Sequence, residues 1–518
     1  MKQMTALAVL DSGRSVFLTG PAGSGKTYVL NKFIQDARMD GKSVAVTAST
    51  GIAATHLGGN TIHSWSGVGI ADELHDRMIG DMSQSRQDQI GKADILIIDE
   101  VSMLHDFRLD MVDEICRQVR ADSTPFGGLQ VVLSGDFFQL PPINRGDSKQ
   151  GGFVTSSQAW EDLDPVVCYL EEQHRQEDDE LSDILTALRS NDLRRRHADA
   201  LMERKQVRTP FDDPVTELYT RNVDVDAVNQ DRLDAMPGEV HEFDMVHTGR
   251  KSAVESLKKS CLAPETLQLK EGAFVMFVKN SQDRKYVNGT LGVVTGFDKN
   301  TGYPRVKTRG GRTIDVDLDT WEMRDGEKKI ASLTQLPLRL AWAITIHKSQ
   351  GMTLDGAHID LGSAFVPGMG YVALSRVKTL KSLTLGGLNR TALTMHEEAY
   401  ELDEQLRKKS SSDTKKHADL EDTYSKKAEK RHKKGSLQKK SATASADWQG
   451  KLQKMRSEHP NAFKPWQTVE DETLVNQWKS GKKVKEISDL LGRHQGSIRS
   501  RLKKHFGDDY KQATQSKD

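Results

Sequence analysis

An eight-residue stretch near the start of the chain has the composition of a phosphate-binding loop. It runs Gly20-Pro21-Ala22-Gly23-Ser24-Gly25-Lys26-Thr27 and fits the pattern G-x-x-x-x-G-K-[ST] at every fixed position. Glycines let backbone N–H groups close around phosphate oxygens, and the start of the following helix adds positive potential. We expect Lys26 to neutralise the β- and γ-phosphates of a nucleotide and Thr27 to hold Mg²⁺ through its hydroxyl.

A second short segment supplies carboxylates that could act together with this loop. The apolar residues 95–98 are followed by Asp99 and Glu100, and the carboxyl ends of buried parallel strands are where α/β sheets bind ligands. Asp99 is predicted to bind Mg²⁺, and Glu100 to polarise the attacking water as a general base. These features predict a nucleoside triphosphatase. On their own they leave a small-molecule kinase or a regulatory ATPase as alternatives.

Short buried strands that alternate with helices are needed to bring these groups together. Each strand candidate in the first 165 residues is an apolar run that ends in Gly, Ser, Thr or Asp, as expected of buried parallel strands. These candidates are residues 16–19, 44–48, 95–99 and 131–134. A second set follows at residues 217–220, 341–346 and 382–385. The alternation predicts an α/β fold with doubly wound parallel sheets.

The middle of the second set has a different pattern. Four short strand candidates lie within residues 272–330, at 273–278, 291–294, 305–308 and 313–316. The pairs Asn288-Gly289 and Gly310-Gly311 are hairpin turn signals, so we predict a small β-barrel inserted in the second α/β lobe. From about 405 to 460 the chain is rich in Lys, Ser and Ala without a sustained apolar period, which predicts a mostly disordered linker.

The charges of the chain balance overall but are unevenly distributed. The 518 residues carry 74 basic and 74 acidic side chains, whereas residues 407–518 carry 28 and 15 of them, respectively. An acidic body with a basic tail predicts that the tail binds a polyanion, and a tail that only increases solubility is the alternative.

No apolar run reaches the ~18 residues of a membrane span. The three cysteines have no C-x-x-C spacing, which excludes a disulfide framework.

Several further blocks of the chain are similar to those of the PIF (petite integration frequency) DNA helicases, a family in the 5′-to-3′ branch of helicase superfamily one that is related to RecD-like enzymes. The similarity covers about residues 1–390, in the order in which the family has these blocks. The blocks are Gln3, TASTGIAA at 47–54, GNTIHSW at 59–65, DEVSML at 99–104, PFGGLQ at 125–130, GDFFQLPP at 135–142, HRQ at 174–176, TIHKSQGMT at 345–353 and YVALSR at 371–376. Trp65 departs from the phenylalanine that is usual in the family.

This resemblance gives roles to residues that spacing alone leaves unassigned. Gln3 would read the adenine edge and thereby favour ATP, and Gln139 would sense the γ-phosphate and the attacking water. Arg175 and Arg376 would be arginine fingers from the second lobe, because a guanidinium stabilises charge that develops on the γ-phosphoryl oxygens. The implied cofactors are ATP and Mg²⁺. Two further residues would line the nucleotide site: Gln350 and Gly351.

The same blocks imply a track for single-stranded DNA. Hydroxyl, imidazole and ammonium groups near strand ends can hold phosphates without reading sequence. The predicted contacts are Ser49, Thr50, Thr61, His63, Thr345, His347, Lys348 and Ser349. Trp65 could stack on a base, an interaction of about 1–3 kcal/mol, and a core aromatic is the alternative for this residue. The family's insertion that splits the duplex would fall within residues 66–93.

The last part of the chain, residues 461–510, resembles a Myb-like or helix-turn-helix module. Leu474 and Trp478 lie four residues apart on one face of its first predicted helix. Arg499 and Lys503 share a face of its third helix, from which they could enter the major groove of duplex DNA or follow its phosphates. A protein-binding three-helix bundle is the alternative for this module.

The resulting interpretation is an ATP-dependent DNA helicase with two RecA-like lobes. It would translocate on single-stranded DNA, from 5′ to 3′ by resemblance, and unwind duplexes or junctions in replication, repair or recombination. A translocase that remodels complexes without unwinding and a nucleotide-switched DNA-binding scaffold are the alternatives. The predicted domains are the first lobe at 1–165, the second lobe at 166–250 and 331–400, the barrel at 251–330, the linker at 401–460 and the module at 461–510.

The cellular setting is predicted from the same features. We expect neither a targeting peptide before the motor nor a membrane span. We therefore expect a monomeric motor in the cytoplasm of a bacterial or phage-type source, associated with the nucleoid.

Overall fold

The chain folds as an α/β protein with two parallel sheets, which confirms the α/β part of the predicted fold class. No helix in the part of the chain that is described is long and apolar enough to cross a membrane. Strands and helices are numbered below in chain order. The computed structural model describes residues 1–69, 71–80, 82–142, 144, 149–172, 179–205, 207, 215–220, 225–281, 285–325, 328–438, 459–461 and 466–507.

Six parallel strands form the sheet of the N-terminal lobe, in the order β3–β2–β4–β5–β1–β6. Their bounds are β1 Val16–Thr19, β2 Val44–Ala48, β3 Asn60–Thr61, β4 Ile95–Asp99, β5 Gln130–Ser134 and β6 Val166–Tyr169. Strands β1, β2 and β4 have the predicted bounds, because continuous apolar runs are the pattern of strands covered on both faces. The order of the strands places the carboxyl ends of β1, β5 and β4 side by side at one edge of the sheet.

The predicted boundary between the lobes at residue 165 is wrong by one strand. β6 pairs in parallel with β1, with Val16 opposite Val166 and Thr19 opposite Tyr169, so it belongs to the N-terminal lobe. The helices of this lobe are α1 Gln3–Asp11, α2 Lys26–Met39, α3 Gly51–His56, α4 Ile62–Ser66, α5 Asp76–Gly80, α6 Gln84–Lys92, α7 Asp106–Arg120 and α8 Gln158–Leu163. Short 3-10 turns lie at Val101–Met103, Pro125–Gly128 and Val154–Ser156.

The second lobe has a four-stranded parallel sheet in the order β18–β7–β19–β20. The strands are β7 Thr216–Tyr219, β18 Ala343–Thr345, β19 Ala357–Leu361 and β20 Leu383–Leu388. The prediction missed β19, because His358 and Asp360 interrupt its apolar residues. The helices of this lobe are α9 Asp179–Arg189, α10 Arg195–Glu203, α11 Val225–Asp234 and α13 Met369–Leu374, with 3-10 turns at Leu380–Ser382 and Thr391–Leu393.

An antiparallel domain is inserted in the second lobe, in agreement with the predicted strands and turns. Gly289 and Gly311 have φ values of 90° and 78° at the two predicted turns, a conformation that favours glycine. The domain begins at β8 and ends at β17, so it is longer than the predicted 251–330. Its elements are β8 His241–Asp244, β9 Val246–Gly249, α12 Lys251–Ser260, β10 Thr266–Leu269, β11 Phe274–Phe277, β12 Leu291–Phe297, β13 Pro304–Thr308, β14 Thr313–Asp315, β15 Asp319–Asp325, β16 Lys328–Gln335 and β17 Leu338–Leu340.

The strands of the inserted domain form three sheets. One has five strands in the order β14–β13–β12–β11–β17, one has three in the order β15–β16–β9, and one pairs β10 with β8. All of these pairings are antiparallel. The closure of these sheets into a barrel stays a prediction.

The prediction of a disordered linker at 401–460 is wrong for residues 401–438. Two helices, α14 Glu397–Lys416 and α15 Leu420–Gln438, continue the fold. α14 packs along β6, and α15 packs against α1 and α2. The C-terminal part of the chain therefore runs back over the N-terminal lobe.

Charged and hydroxyl groups hold α15 in place. The Tyr424 hydroxyl donates to Asp36 Oδ2 at 2.9 Å, and the Arg431 guanidinium pairs with Asp11 and Asp40 at 2.5 Å each. Side-chain hydrogen bonds to Asp40 raise the pKa of Arg431 further above its usual value. Basic residues at the start of the tail thus meet the acidic body of their own chain. An external polyanion as the partner of the remaining basic residues of the tail stays a prediction.

α14 covers the outer edge of the first sheet. The backbone N–H of Val167 donates to Asp413 Oδ2 at 2.9 Å, and that of Tyr169 donates to Ser410 Oγ at 3.0 Å. Buried backbone donors need partners, and an uncovered edge strand would invite pairing with other chains. The two side chains of α14 take the place of a seventh strand.

Three helices follow near the C-terminus, at Thr468–Lys479, Val484–Leu491 and Gln495–Phe506. They enclose a small core that includes Leu474 and Trp478, as predicted. Arg501 and Lys504 of the third helix pair with Glu242 of β8, which joins this module to the inserted domain. Its identity as a Myb-like or helix-turn-helix module stays a prediction.

Candidate active site and nucleic-acid interface

The phosphate loop connects β1 to α2 in the conformation that its glycines permit. Gly20 has a φ of 140°, and a Cβ added there would lie 2.4 Å from the carbonyl oxygen of Leu170. Gly25 precedes α2 with a φ of 89°. Lys26 Nζ donates to the carbonyl oxygens of Gly20 and Pro21 at 2.8 and 3.2 Å, so the ammonium lies over the loop. Burial lowers the pKa of Lys26 below its ordinary value.

The predicted adenine-reading residue lies against this loop. Gln3, the first residue of α1, donates from Nε2 to the carbonyl oxygen of Ser24 at 3.1 Å. Gln3 is therefore at the nucleotide site, whereas its predicted contact with the adenine edge stays a prediction.

The two carboxylates lie at the end of β4, at the same edge of the sheet. Glu100 has a φ of 54°, in the left-handed region that is uncommon for residues other than glycine. Burial raises the pKa of Asp99. Burial, with the charge of Asp99 adding to it, raises the pKa of Glu100 to about 7. Two adjacent desolvated carboxylates favour a nearby positive charge, which fits the predicted use of a divalent cation.

Residues from both lobes meet at Glu100. Gln350 of the second lobe donates from Nε2 to Glu100 Oε2 at 3.0 Å and to Gln139 Oε1 at 3.2 Å. Gln139 follows β5 and also contacts Asp136, with Nε2 3.4 Å from Oδ2. The structure thus brings together three residues that the sequence assigned to one site. Gly351 follows at a φ of 77°.

Arg376 supports the turn that carries Gln350. Its guanidinium donates to the carbonyl oxygens of Ser349 at 3.3 Å and Met352 at 3.4 Å, and to that of Val372 at 2.7 Å. The side chain is buried, and its charge counteracts the rise in the pKa of Glu100. Arg376 therefore lies beside the predicted catalytic base. Arg175, the other predicted finger, lies outside the described residues.

A further buried arginine at this site, Arg189 at the end of α9, belongs to none of the sequence motifs. Its Nη1 lies 2.7 and 2.8 Å from the two carboxylate oxygens of Asp136. Although burial would raise the pKa of Asp136, Arg189 and then Lys26 hold it below the ordinary value. Arg189 lies four residues after Leu185 on the apolar side of α9. A charged residue on that side is the signal by which the sequence could have marked it.

The predicted DNA contacts divide by accessibility. Thr50, Thr61, His63, His347 and Lys348 are partly exposed, so they can reach a ligand. Burial lowers the pKa of His63 to about 4 and also lowers that of His347. Both imidazoles would then act as neutral hydrogen-bonding groups.

Four of the predicted DNA contacts are buried in this structure. The Ser349 hydroxyl donates to the carbonyl oxygen of Ile346 at 2.8 Å, and the Ser49 hydroxyl to that of Glu100 at 2.7 Å. Thr345 is 5% exposed. Trp65 is 2% exposed and belongs to the main hydrophobic core, so the prediction that it stacks on a base is wrong for this structure. The core-aromatic alternative is the one observed.

The family comparisons agree with this site. A family model described as PIF1-like helicase matches residues 1–190, and one described as DNA helicase Pif1, 2B domain matches residues 253–297. The ATP-dependent DNA helicase Pif1 of Psychrobacter sp. (strain PRwf-1) is 42% identical over 454 residues, covering 76% of this chain and 69% of that protein. The human ATP-dependent DNA helicase PIF1 is 38% identical over 389 residues, covering 74% of this chain and 60% of the human protein.

Solved structures of Bacteroides Pif1 are similar over most of the chain. The complex with ADP-AlF4 gives a TM-score of 0.69 at 32% identity, covering 79% of this chain and 97% of that chain. The complex with ssDNA gives a TM-score of 0.55 at 33% identity, covering 80% and 98%, respectively.

A phosphate loop, with a neighbouring carboxylate that is contacted from a second lobe, in a chain with these relatives, defines an ATP-dependent DNA helicase. The family follows from the Psychrobacter relative, which is 42% identical over most of both chains. The chain belongs to the PIF1-like helicases.

Proposed function

We propose that this helicase uses ATP hydrolysis to translocate from 5′ to 3′ along single-stranded DNA and thereby unwinds duplexes and junctions. The observation that carries the proposal is the contact of Gln350 with Glu100 and Gln139. Because the contact joins the two lobes at the predicted base, the chemistry at Glu100 depends on how the lobes are arranged. Unwinding of this kind would serve replication, repair or recombination.

Each residue of the nucleotide site has a distinct role in this proposal. Lys26 would neutralise the β- and γ-phosphates, and Gln139 would orient the attacking water. Glu100 would accept the proton of that water. Arg376, together with Arg175, would stabilise charge on the γ-phosphoryl oxygens from the second lobe.

Mg²⁺ is the proposed partner of ATP in this site. Thr27 offers a hydroxyl in the first turn of α2, and Asp99 offers a carboxylate at the end of β4. Oxygen ligands of this kind suit Mg²⁺, which usually binds through one or two protein groups and the phosphates of the substrate. When bound, the ion would neutralise charge on the phosphate oxygens.

Movement of the lobes would couple the nucleotide to DNA. The TM-scores with the two Bacteroides complexes are 0.69 and 0.55, although identity and coverage are almost equal. Because the lower score belongs to the complex with ssDNA, this difference supports parts of the protein that rearrange as units when DNA is bound. Lobes that close on ATP and open after hydrolysis would advance along the strand in a hinge-like cycle.

The proposed strand lies across the carboxyl ends of both sheets. Thr50, Thr61 and His63 are its contacts on the first lobe, and His347 and Lys348 those on the second. Such groups hold phosphates and read no sequence. The duplex-splitting insertion would lie within residues 66–93, in the segment that contains α5 and α6.

The proposed motor is a monomer, because both lobes that meet at Glu100 come from one chain. Sedimentation during ATP turnover at low protein concentration would show whether the active species is one chain or two. Its proposed location is the cytoplasm of a bacterial or phage-type source, in association with the nucleoid.

Strand separation on forked substrates tests the function directly. A duplex with a single 5′ tail should be unwound with ATP, and one with a single 3′ tail should not. ATP turnover stimulated by single-stranded DNA without any strand separation would instead indicate a translocase that remodels complexes. Turnover independent of DNA would favour a nucleotide-switched scaffold.

Lys26→Ala is expected to lower ATP turnover by about 10²–10³-fold, in the range seen when one stabiliser of transition-state charge is removed. Single-stranded DNA binding should persist, because Lys26 contacts the phosphate loop and not the proposed DNA track. Steady-state ATPase rates and fluorescence anisotropy measure the two effects. Lys42→Ala, at an exposed lysine after α2, is the matched control and should hydrolyse ATP normally. Normal turnover by Lys26→Ala would contradict the site.

The C-terminal module is proposed to contact duplex DNA through Arg499 and Lys503. Both side chains are exposed on the third helix, one turn apart on the same face of it. The double variant Arg499→Glu and Lys503→Glu should weaken duplex binding. It should also reduce the slope of log K against log salt by about two, because each of the two side chains neutralises one phosphate.

A matched double variant separates this effect from net charge. Lys482→Glu with Lys485→Glu changes the charge equally at exposed positions before the third helix, and it should leave the salt slope near that of the unmodified chain. Equal decreases of the salt slope in the two double variants would favour the alternative that the module binds protein. The absence of duplex binding by the full chain at low salt would also favour it. Unwinding by residues 1–458 alone would show that the module is dispensable for the motor.

A further inference from the structure

Arg189 makes a buried connection between the two lobes and the C-terminal helix α14. Its Nη1 contacts both carboxylate oxygens of Asp136. Its Nη2 donates to the Tyr169 hydroxyl at 2.8 Å and to Asp403 Oδ1 at 3.0 Å. The side chains of Arg189 and Asp136 are 6% and 1% exposed. One guanidinium thus joins the turn after β5, the edge strand β6 and α14.

The Tyr371 hydroxyl extends this connection to the phosphate loop. It accepts the backbone N–H of Ala22 at 2.9 Å and Nη1 of Arg189 at 3.1 Å, and its own hydrogen is directed to Asp136 Oδ2 at 3.4 Å. Tyr371 belongs to α13 of the second lobe, whereas Ala22 and Asp136 belong to the first. The phosphate loop and the turn after β5 therefore share one hydroxyl from the opposite lobe.

Asp136 in turn contacts Gln139, the residue that is proposed to orient the attacking water. Asp136 Oδ1 accepts the backbone N–H of Phe138 at 3.2 Å, and Oδ2 lies 3.4 Å from Gln139 Nε2. The guanidinium of Arg189 also stacks over the Phe138 ring, 4.3 Å from its centroid. A displacement of Arg189 would therefore move Gln139 through the contacts that Arg189 makes with Asp136 and Phe138.

We propose that Arg189 is a positioning residue for ATP hydrolysis: through Asp136 it fixes the turn that carries Gln139, and through Tyr371 it ties that turn to the phosphate loop. The inference rests on the proposed ATP turnover at Lys26. It differs from the finger role of Arg376, because Arg189 acts through Asp136 and Gln139 rather than on the phosphate.

A purely structural role explains this arrangement less well. A buried ion pair can often be replaced by packed apolar residues without loss of stability, because desolvation offsets its Coulomb energy. A planar guanidinium instead fixes direction, since its donors form a rigid fork. Here the fork is shared among Asp136, Tyr169, Tyr371 and Asp403, which defines the angle of the turn after β5.

Arg189→Lys is the first test, because it keeps the charge and removes the fork. We expect kcat to fall about 10–100-fold, since small misplacements of a reacting group can cost about 10²-fold. The KM for ATP should change less than about three-fold, because the phosphate loop still binds the nucleotide. A raised KM with unchanged kcat, or an unchanged enzyme, would overturn the proposal.

A double-mutant cycle with Gln139→Ala gives a readout that a structural role would not produce. If Arg189 acts through Gln139, then adding Arg189→Lys to Gln139→Ala should lower kcat by less than about two-fold further. Multiplicative decreases would show that the two residues act independently and would overturn the proposal. Both comparisons are made relative to the turnover of the unmodified chain. Absence of that turnover would contradict the proposed function itself, and the two failures are therefore distinguishable.

Two further variants distinguish an effect on positioning from misfolding of Arg189→Lys. Tyr371→Phe removes only the hydroxyl that joins Ala22 to Asp136. Like Arg189→Lys, it should lower kcat, and it should leave the affinity for single-stranded DNA unchanged. Arg204→Lys is the matched control, because Arg204 also lies in the second lobe and donates to the carbonyl oxygens of Lys381 and Leu383. It should keep normal kcat. An equal decrease in Arg204→Lys, or normal kcat in Tyr371→Phe, would overturn the proposal.

Discussion

Arg376→Ala is expected to lower kcat for ATP hydrolysis about 10³–10⁵-fold, the range in which arginine fingers contribute. Nucleotide binding should change little, because the phosphate loop and Lys26 remain. In the structure the guanidinium is buried beside Glu100 and held by the carbonyl oxygens of Ser349 and Met352. Single-turnover hydrolysis and binding of a non-hydrolysable ATP analogue separate the chemical step from affinity.

The burial of Arg376 requires a second variant beside the alanine change. Removal of the side chain leaves three backbone acceptors without this donor, so the free energy of unfolding of Arg376→Ala is expected to fall by about 1–3 kcal/mol. Arg376→Lys keeps a charge and should be closer to native stability, yet it should still lose most of kcat because a lysine has no planar fork. Arg390→Ala, at an exposed arginine of the same lobe, should match the unmodified enzyme. Unchanged turnover in Arg376→Lys would exclude the finger role.

Parts of the fold that depend on local pattern could be predicted from the sequence. The strands β1, β2 and β4 have their predicted bounds, because buried parallel strands are short apolar runs and the phosphate loop fixes where the first one ends. The turns at Gly289 and Gly311 were found for a similar reason, since a positive φ favours glycine. These signals are contained within a few consecutive residues.

Parts of the fold that depend on distant partners could not be predicted in this way. α15 has no sustained apolar period, and it is held by Tyr424 and by the pairing of Arg431 with Asp11 and Asp40. Those partners lie 388 to 420 residues away in the chain, so this polar segment was predicted to be disordered. The predicted lobe boundary at residue 165 was wrong for a similar reason, because only the pairing of β6 with β1 shows to which lobe β6 belongs.

The candidate site shows the same division. The phosphate loop, Asp99 and Glu100 are recognisable as contiguous blocks, and the structure brings Gln139 and Gln350 to them. Arg189 lies outside these blocks. Its position on the apolar side of α9 marks it as unusual, but its role appears only with its contact to Asp136. The prediction for Trp65 was wrong for a different reason. An aromatic side chain in a block that resembles a DNA-contact motif can equally fill the core.

Glu100→Gln is expected to lower kcat for ATP hydrolysis by about 10²–10⁴-fold, the contribution of a positioned general base. The substitution is isosteric and keeps one carbonyl oxygen, so the hydrogen bond that Glu100 accepts from Gln350 at 3.0 Å can persist. The lobes should therefore still close on ATP, and the variant should accumulate with ATP bound. Rapid-quench turnover, together with retention of labelled ATP on the enzyme, measures both effects.

The control for Glu100→Gln must exclude a loss of activity that is caused by unfolding. Removing one of two adjacent, half-buried carboxylate charges relieves repulsion with Asp99, so Glu100→Gln should unfold at an equal or higher temperature than the unmodified chain. A decrease in activity therefore cannot be attributed to unfolding. Glu114→Gln removes the same charge at an exposed position of α7 in the same lobe and should leave kcat unchanged. Rapid turnover by Glu100→Gln, at a rate within a few-fold of the control, would show that another group accepts the proton from the attacking water.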